Sequence, residues 1–408
     1  MVLCKYLALL ATVFSASLAQ NTTAITDALS ALGLSSFALA AAALNGTSGG
    51  QALLSTVLSG GNYSILAPNN DAFSQASSLA SDNTLLVDTL AYHILRGSFS
   101  SSNSSTFNLT SATSPNHTIG RSMLNDSAYV TLEGNASQAV AWTIESNTLV
   151  FLNQATNISI VNSTRINGTG LDIYTIDGIL SIPPSMSSVL ANATNTSSIA
   201  GLLNSTMVPS SNGTNDTIGN ILNAQRGITL FAPSDSAFSE VSSSLPVLEG
   251  NLTAFTTVLQ NHIINGSTVY SSEITNGSNF TSAAGEPLTF VTNSSGTYVT
   301  SGSTTAKIIA TDILSMNGVV HVIDNVFLNI ASDSSAASSA YNSATSAATK
   351  LASETGIISA TAPAASSSSS SSSGSGSSNN AGVASVVSTY FMTSIVAIVS
   401  FAVFGVFI

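Results

Sequence analysis

The sequence predicts an α+β protein built from one unit used twice, followed by a low-complexity stalk. Three observations predict it. A proline-ended block occurs as Tyr63-Ser-Ile-Leu-Ala-Pro-Asn-Asn-Asp-Ala-Phe73 and again as Ile228-Thr-Leu-Phe-Ala-Pro-Ser-Asp-Ser-Ala-Phe238. In each copy an apolar segment of helical spacing ends in a histidine, His93 and His262, about twenty-five residues later. Helical patterns come first in each copy and short β-rich runs afterwards, the order of an α+β unit rather than of alternating βαβ units.

Taken from the N-terminus, Lys5 precedes an apolar run from Tyr6 to Phe14 and then Ser17-Leu18-Ala19, which reads as a secretory signal peptide over residues 1–19. Its removal takes away Cys4, the only cysteine of the sequence, so the mature domains must be held by packed cores without disulfides. Residues Ile25 to Leu44 and Gln51 to Leu58 predict helices broken near Gly33 and Gly49-Gly50, with Ile199 to Met207 and Ile218 to Leu222 as counterparts in the second copy. In the repeated block a β-rich run stops at proline, and a polar residue then caps a helix whose first turn points Ala-Phe inward. The histidine-ended helices are Leu85 to Leu95 and Phe255 to Ile264. After them, Tyr129 to Leu132, Ala139 to Ile144, Leu149 to Leu152 and Ile158 to Val161 predict a β-meander. The copies close on Leu171-Asp-Ile-Tyr-Thr-Ile-Asp177-Gly-Ile-Leu180 and on Asn317-Gly-Val-Val-His-Val-Ile-Asp324-Asn-Val-Phe-Leu328.

These blocks, in this order and twice over, resemble the fasciclin-like domain family across residues 22–183 and 187–331. The resemblance implies two tandem domains, each a β-sandwich or wedge flanked by helices. The first copy departs from the pattern: Tyr174 stands where the second has His321, and Gly168-Thr169-Gly170 are extra residues before its last strand. The resemblance also implies that the segment around this histidine is among those that carry adhesive contacts, here Ala91-Tyr92-His93-Ile94 and Asn261-His262-Ile263. The residues themselves support a plainer role, an imidazole that bonds backbone at a helix end and fixes the next loop.

Beyond Ala331 the composition turns to Ala, Ser and Thr, with a pure serine run at Ser366 to Ser373. Residues 332–380 read as an O-glycosylated stalk reaching roughly 150 Å at ~3.1 Å per residue, shortened where Ala336 to Ala352 turns helical. Residues 381–408 read as a glycosylphosphatidylinositol-attachment propeptide. Small residues lead through a mildly polar spacer into the apolar tail Tyr390 to Ile408, which no Lys or Arg follows. Asn380 is the expected attachment residue, and an ordinary single-span anchor is the alternative.

Charged residues are only 6% of the chain and the formal charge is -12. With no basic patch, nucleic acid is excluded as a partner class. Solubility is expected to come from glycans, since Asn-x-Ser/Thr recurs roughly twenty times. The loop sequons at Asn45, Asn103, Asn108, Asn116, Asn195, Asn212, Asn276 and Asn293 are expected to be occupied more often than Asn62 or Asn157, which adjoin strand runs.

Nothing groups into a catalytic centre. His117 lies in a polar loop, and no His-x-x-x-His or His-Glu pair and no phosphate-loop pattern occurs. Asp71, Asp177, Asp235 and Asp324 recur between the copies, where helix caps and hairpin bonds explain them. No enzyme, metal or cofactor is expected. The sole tryptophan, Trp142, lies in an alternating strand and reads as core. The expectation is a cell-surface adhesion glycoprotein on the outer face of the plasma membrane or in a cell wall. Its partners would be other cell-surface or matrix proteins, wall polysaccharide, or a second copy of itself. A structural wall glycoprotein without a specific ligand and a carbohydrate-binding surface protein are the alternatives. The Ser-rich stalk, dense sequons and lipid anchor in a cysteine-free mature chain look more like a fungal member of the family than an animal one.

Overall fold

The computed structural model describes residues 25–359 apart from 26, 28, 76–81, 100–111, 155, 167–169, 210–213, 244–249, 350 and 352–353. The chain divides into two compact units, one of 25–130, 135–183 and 350–358, the other of 131–134 and 184–349.

In the first unit, α1 (Ser35–Ala43) and α2 (Ser48–Leu58) lead to β1 (Tyr63–Pro68), α3 (Asn70–Gln75), α4 (Asn83–Tyr92) and β2 (Ile94–Arg96). The chain breaks after its first helical residues at Gly33, whose φ is +75°. The second break falls earlier than Gly49-Gly50. Thr47 caps α2 by accepting from Gly50 N at 3.0 Å, and Gly50 sits inside the first turn, where a Cβ would lie 2.3 Å from the Leu44 carbonyl oxygen. The meander follows as β3 (Thr118–Arg121), β4 (Ala139–Glu145), β5 (Thr148–Phe151), β6 (Ile158–Ile166) and β7 (Leu171–Ile176). Seven strands pair in the order β2-β1-β7-β6-β5-β4-β3. Every pairing is antiparallel except β1 with β7, which run parallel with Ile65 opposite Ile173.

One strand of the expected meander is misplaced. Tyr129 to Leu132 is a turn and loop, because the Asp126 carbonyl accepts from both Tyr129 N and Val130 N and the Asp126 carboxylate from Ala128 N. The missing strand is β3, whose Thr-Ile-Gly-Arg sequence carries no strong β pattern. Trp142 is fully buried, with Phe99 edge-on at 5.2 Å and Phe151 at 6.0 Å.

The second unit opens on α5 (Met186–Asn192), α6 (Ser197–Ser205), a small hairpin of β8 (Met207–Pro209) and β9 (Asn215–Thr217), and α7 (Ile218–Asn223). It continues through β10 (Ile228–Pro233), α8 (Asp235–Val241), α9 (Leu252–Asn261) and β11 (Ile263–Asn265) to β12 (Asn279–Thr281), β13 (Pro287–Asn293), β14 (Gly296–Ser301), β15 (Thr304–Ser315) and β16 (Gly318–Ile323). Its sheet order, β11-β10-β16-β15-β14-β13-β12, repeats that of the first unit strand for strand, with β10 and β16 as the parallel pair. β15 changes register between Ile308 and Ile313, and Asp312 takes a φ of +58° there. Such a bulge bends a strand, which lets one long strand serve both the helix-covered and the open part of the sheet.

Strand alternation then makes two cores. Ile228, Leu230 and Ala232 face the helices with Leu203, Phe255 and Leu259, while Phe231 faces the other way with Leu288, Phe290, Val299 and Phe327. Each domain is thus a bent sheet with helices on one side, as the sequence led one to expect.

The tract assigned to the stalk begins with folded structure. Asp333 caps α10 (Ser334–Ala348), and Ala337 and Ala348 of that helix are buried. Asp333 N donates to the Ala284 carbonyl at 2.8 Å, against Gly285, which leaves no room for a Cβ. Further on, in the first unit, Ile358 N donates to Ile119 O at 2.9 Å and Glu354 pairs with the buried Arg121 at 3.0 Å. Small residues allow this close approach; alanine and serine composition alone does not make a stalk.

Candidate functional site

The histidine segments are where the sequence located contact residues, and they lie in the interior. Tyr92, His93, Asn261 and His262 are 3%, 0%, 0% and 3% exposed, so none of the four side chains can meet a partner. Each histidine is the C-cap of its helix. His93 Nδ1 lies 2.7 Å from the Thr89 carbonyl, and its Nε2 accepts from Leu180 N at 2.9 Å. His262 does the same between the Val258 carbonyl, at 2.7 Å, and Phe327 N, at 3.0 Å, while its ring stacks on Phe327. An acceptor at Nε2 puts the proton on Nδ1, where it is donated to the helix carbonyl. Burial holds both imidazoles at about 4, against a partial upward pull from the Thr89 and Val258 carbonyls. They are neutral struts that tie a helix end to the segment after the last strand. The structural role read from the residues is the one observed, with burial complete rather than partial.

Their neighbours act in the same way. Tyr92 Oη donates to the Ala139 carbonyl at 3.1 Å. Asn261 donates to the carbonyls of Asn329 and Ala331 and accepts from Ser282 Oγ at 2.8 Å.

Of the four aspartates expected to recur, Asp177, Asp324 and Asp235 hold backbone N–H groups, whereas Asp71 is not the counterpart of Asp235 and neither of these two caps its own helix. Asp177 accepts from Ser159 N and Asp324 from Lys307 N, both at 2.7 Å, locking the closing hairpins. Asp235 accepts from Ser198 N at 2.7 Å at the start of α6, and this bond holds its carboxyl below the usual range. Its counterpart in the first unit is Asn70, which accepts from Ser36 N at 2.9 Å; Asp71 is exposed one position further on. The caps of the two block helices are Asn69 and Ser234, accepting from Ala72 N and Ala237 N. Tyr174 and His321 hold the same register, opposite Leu66 and Phe231, and both are buried. His321 Nε2 lies 2.9 Å from the Val269 carbonyl.

Among the described residues no group of three or more His, Cys, Asp or Glu is placed to hold a metal, and no helix is long and apolar enough to cross a membrane. Of the sequons, Asn45, Asn116, Asn195, Asn276 and Asn293 are exposed, and so are Asn62 and Asn157, so adjoining a strand does not hide them. Asn103, Asn108, Asn212 and the expected anchor residue Asn380 lie outside the described residues.

The surface that sequence reasoning did not single out is the outer face of β12–β15 in the second unit. β13 alternates, with Leu288 and Phe290 buried and Thr289 and Val291 exposed. Register aligns Asn279, Thr289, Thr300 and Thr305 in one row and Val291, Tyr298 and Lys307 in the next. Thr300 and Thr305 bond through their hydroxyls at 2.9 Å, and Val291 is 50% exposed. The period-two pattern of Pro287–Asn293 was the signal that could have found it. In the first unit the corresponding strand β4 is covered, since Ala139 to Thr143 are all buried and Thr143 Oγ1 donates to the Asn116 carbonyl at 2.7 Å, although Val161 and Asn162 of β6 are exposed.

The fasciclin domain model matches residues 37–183 and 197–329. The chain belongs to the fasciclin domain family, whose domains are associated with cell adhesion, and carries two copies in tandem. Among solved structures it is similar to a FAS1 domain pair from the insect cell adhesion molecule Fasciclin I, at 15% identity and a TM-score of 0.31, over 68% of this chain and 93% of that one. No curated protein matches it.

Proposed function

We propose that the protein is a cell-surface adhesion glycoprotein whose contact surface is the outer face of β12–β15 in the second domain. The observation that carries this reading is the contrast between matching strands: Ala139 to Thr143 of β4 are buried throughout, whereas β13 leaves Thr289 and Val291 exposed beside the half-buried Tyr298 and Thr300. Hydroxyl rows, one amphipathic aromatic and a single charge, Lys307, suit a neutral polysaccharide of a cell wall or matrix better than a highly charged partner. The family association with adhesion supports the same reading. In this proposal a secretory signal and a lipid anchor at Asn380 hold the domains at the outer face of the membrane, and the exposed sequons carry glycans. A structural wall role without a ligand is favoured instead by the number of exposed sequons alone.

The test is binding of the glycosylated fragment 20–359, which keeps α10 and its continuation, to immobilised wall polysaccharide fractions and to itself. Saturable polysaccharide binding that Tyr298→Ala and Thr289→Asp abolish is expected. Binding unaffected by both changes removes the face from the proposal, and no binding at all favours the structural role. The anchor is tested separately: phosphatidylinositol-specific phospholipase C should release the full protein from membranes.

A further inference from the structure

The first domain holds an apolar cavity of about 230 Å³ between α1, α2 and the sheet, walled by Phe37, Leu53, Val57, Ile65, Ile94 and Leu171. Asn45, which is exposed, stands at its edge. The same place in the second domain is filled. Matching caps fix the register of α1 and α6, because Ser36 N is held by Asn70 and Ser198 N by Asp235. Ala41 therefore occupies the position of Leu203, which is 1% exposed and belongs to the helix-side core with Ile228 and Leu230. The second domain also seals that core with Met186, Val189 and Leu190 of α5, all buried, where the first domain has Ile25 and Leu29. The fold does not require the cavity.

We propose that this cavity is a binding site for a single short-to-medium acyl chain, with the polar head of the ligand at the Asn45 edge. An unfilled apolar void weakens a core in proportion to its volume, and apolar cavities of ~150 Å³ already admit benzene. Aliphatic walls with one amide at the rim match a hydrocarbon chain ending in a polar group. The space holds one chain and excludes a two-chain lipid.

Decanoate is the probe, titrated calorimetrically into the full-length Asn45→Gln glycoprotein, which keeps an amide at the rim and removes the sequon, so that no sugar covers the opening. One site per chain is expected, together with a raised unfolding temperature of the first domain only. Ala41→Leu, which copies the second domain, should weaken decanoate binding roughly tenfold or more while raising the unfolding temperature without ligand. Ala41→Val is the smaller change should leucine prevent folding, and it should weaken binding less. Leu203→Ala is the mirror test and should add a second site. No saturable binding, or unchanged affinity in both Ala41 variants, overturns the proposal.

Discussion

The two domains share one topology strand for strand, yet differ wherever a side chain is not needed to build it. What is kept is a set of polar devices: the cap at the start of the block helix, the buried histidine, and the aspartate of the closing hairpin. What differs is filling and covering. Ala41 stands where the second domain has Leu203, Asp88 where it has Thr257 and Tyr174 where it has His321, and the buried strand β4 corresponds to the half-open β13. Buried hydrogen bonds specify a fold because leaving them unmade is costly, whereas apolar volume can be redistributed.

The largest effect that would break this comparison is loss of a histidine strut. His262→Phe keeps the stacking volume but strands the Phe327 N–H and the Val258 carbonyl, and should cost the second domain roughly 4 kcal/mol in denaturant unfolding. His93→Phe should cost the first domain a similar amount. A loss near zero in either would show that the shared polar device is not what holds the fold.

Acid should act on both domains through the matching histidines. Each imidazole is held at about 4 when folded, against 6.5 when unfolded. Between those values the unfolded chain binds more protons, so stability rises with pH. The contribution is complete above pH 6.5, falls as pH drops, and is gone near 4, a change of about 3 kcal/mol at most for each histidine. Chemical denaturation of each domain across pH 4–7 measures it; the rise with pH should shrink in His262→Phe, and in His93→Phe it should give way to the opposite slope of Asp88.

Asp88 sharpens the comparison with the opposite sign. Burial, with Asp126 and Asp82 adding repulsion, raises its carboxyl from 3.8 to about 6, and its Oδ2 has no hydrogen-bond partner. Here the folded state binds the extra proton, so this group favours the fold as pH falls from 6 towards 3.8 and opposes it above 6. Asp88→Thr, the residue of the second domain, should stabilise the first domain by about 1–2 kcal/mol at pH 7 and by little at pH 4. The second domain, where Thr257 already donates to the Thr253 carbonyl, offers no such gain.

The smallest effect is expected at Glu354. It is partly exposed and its partner Arg121 is buried, so Glu354→Gln should cost the first domain about 1 kcal/mol, and less in high salt. No change on deleting the residues after 349 would mean that this continuation does not contribute to the first domain.

Much of the architecture was legible because it rests on local signals. Proline ends, caps and apolar spacing marked the block helices, the histidine helices and the closing hairpins. β3 was not legible, since Thr-Ile-Gly-Arg is a strand only by virtue of pairing with Ala139 to Trp142. The face of the second sheet was half legible: the alternation of Pro287–Asn293 was present in the sequence, but its openness depends on what other segments leave uncovered.

By itself the sequence determined the repeat, the order of helices and strands, the family, and the structural character of His93 and His262, because each follows from neighbours within a few turns of chain. Only the tertiary structure decided that those histidine segments are wholly interior, that Ser334–Ala348 folds onto the second domain, and that β4 is covered while β13 keeps one face open. Burial and exposure belong to pairs of segments far apart in sequence, and residue type alone does not record which segment will come to lie against which.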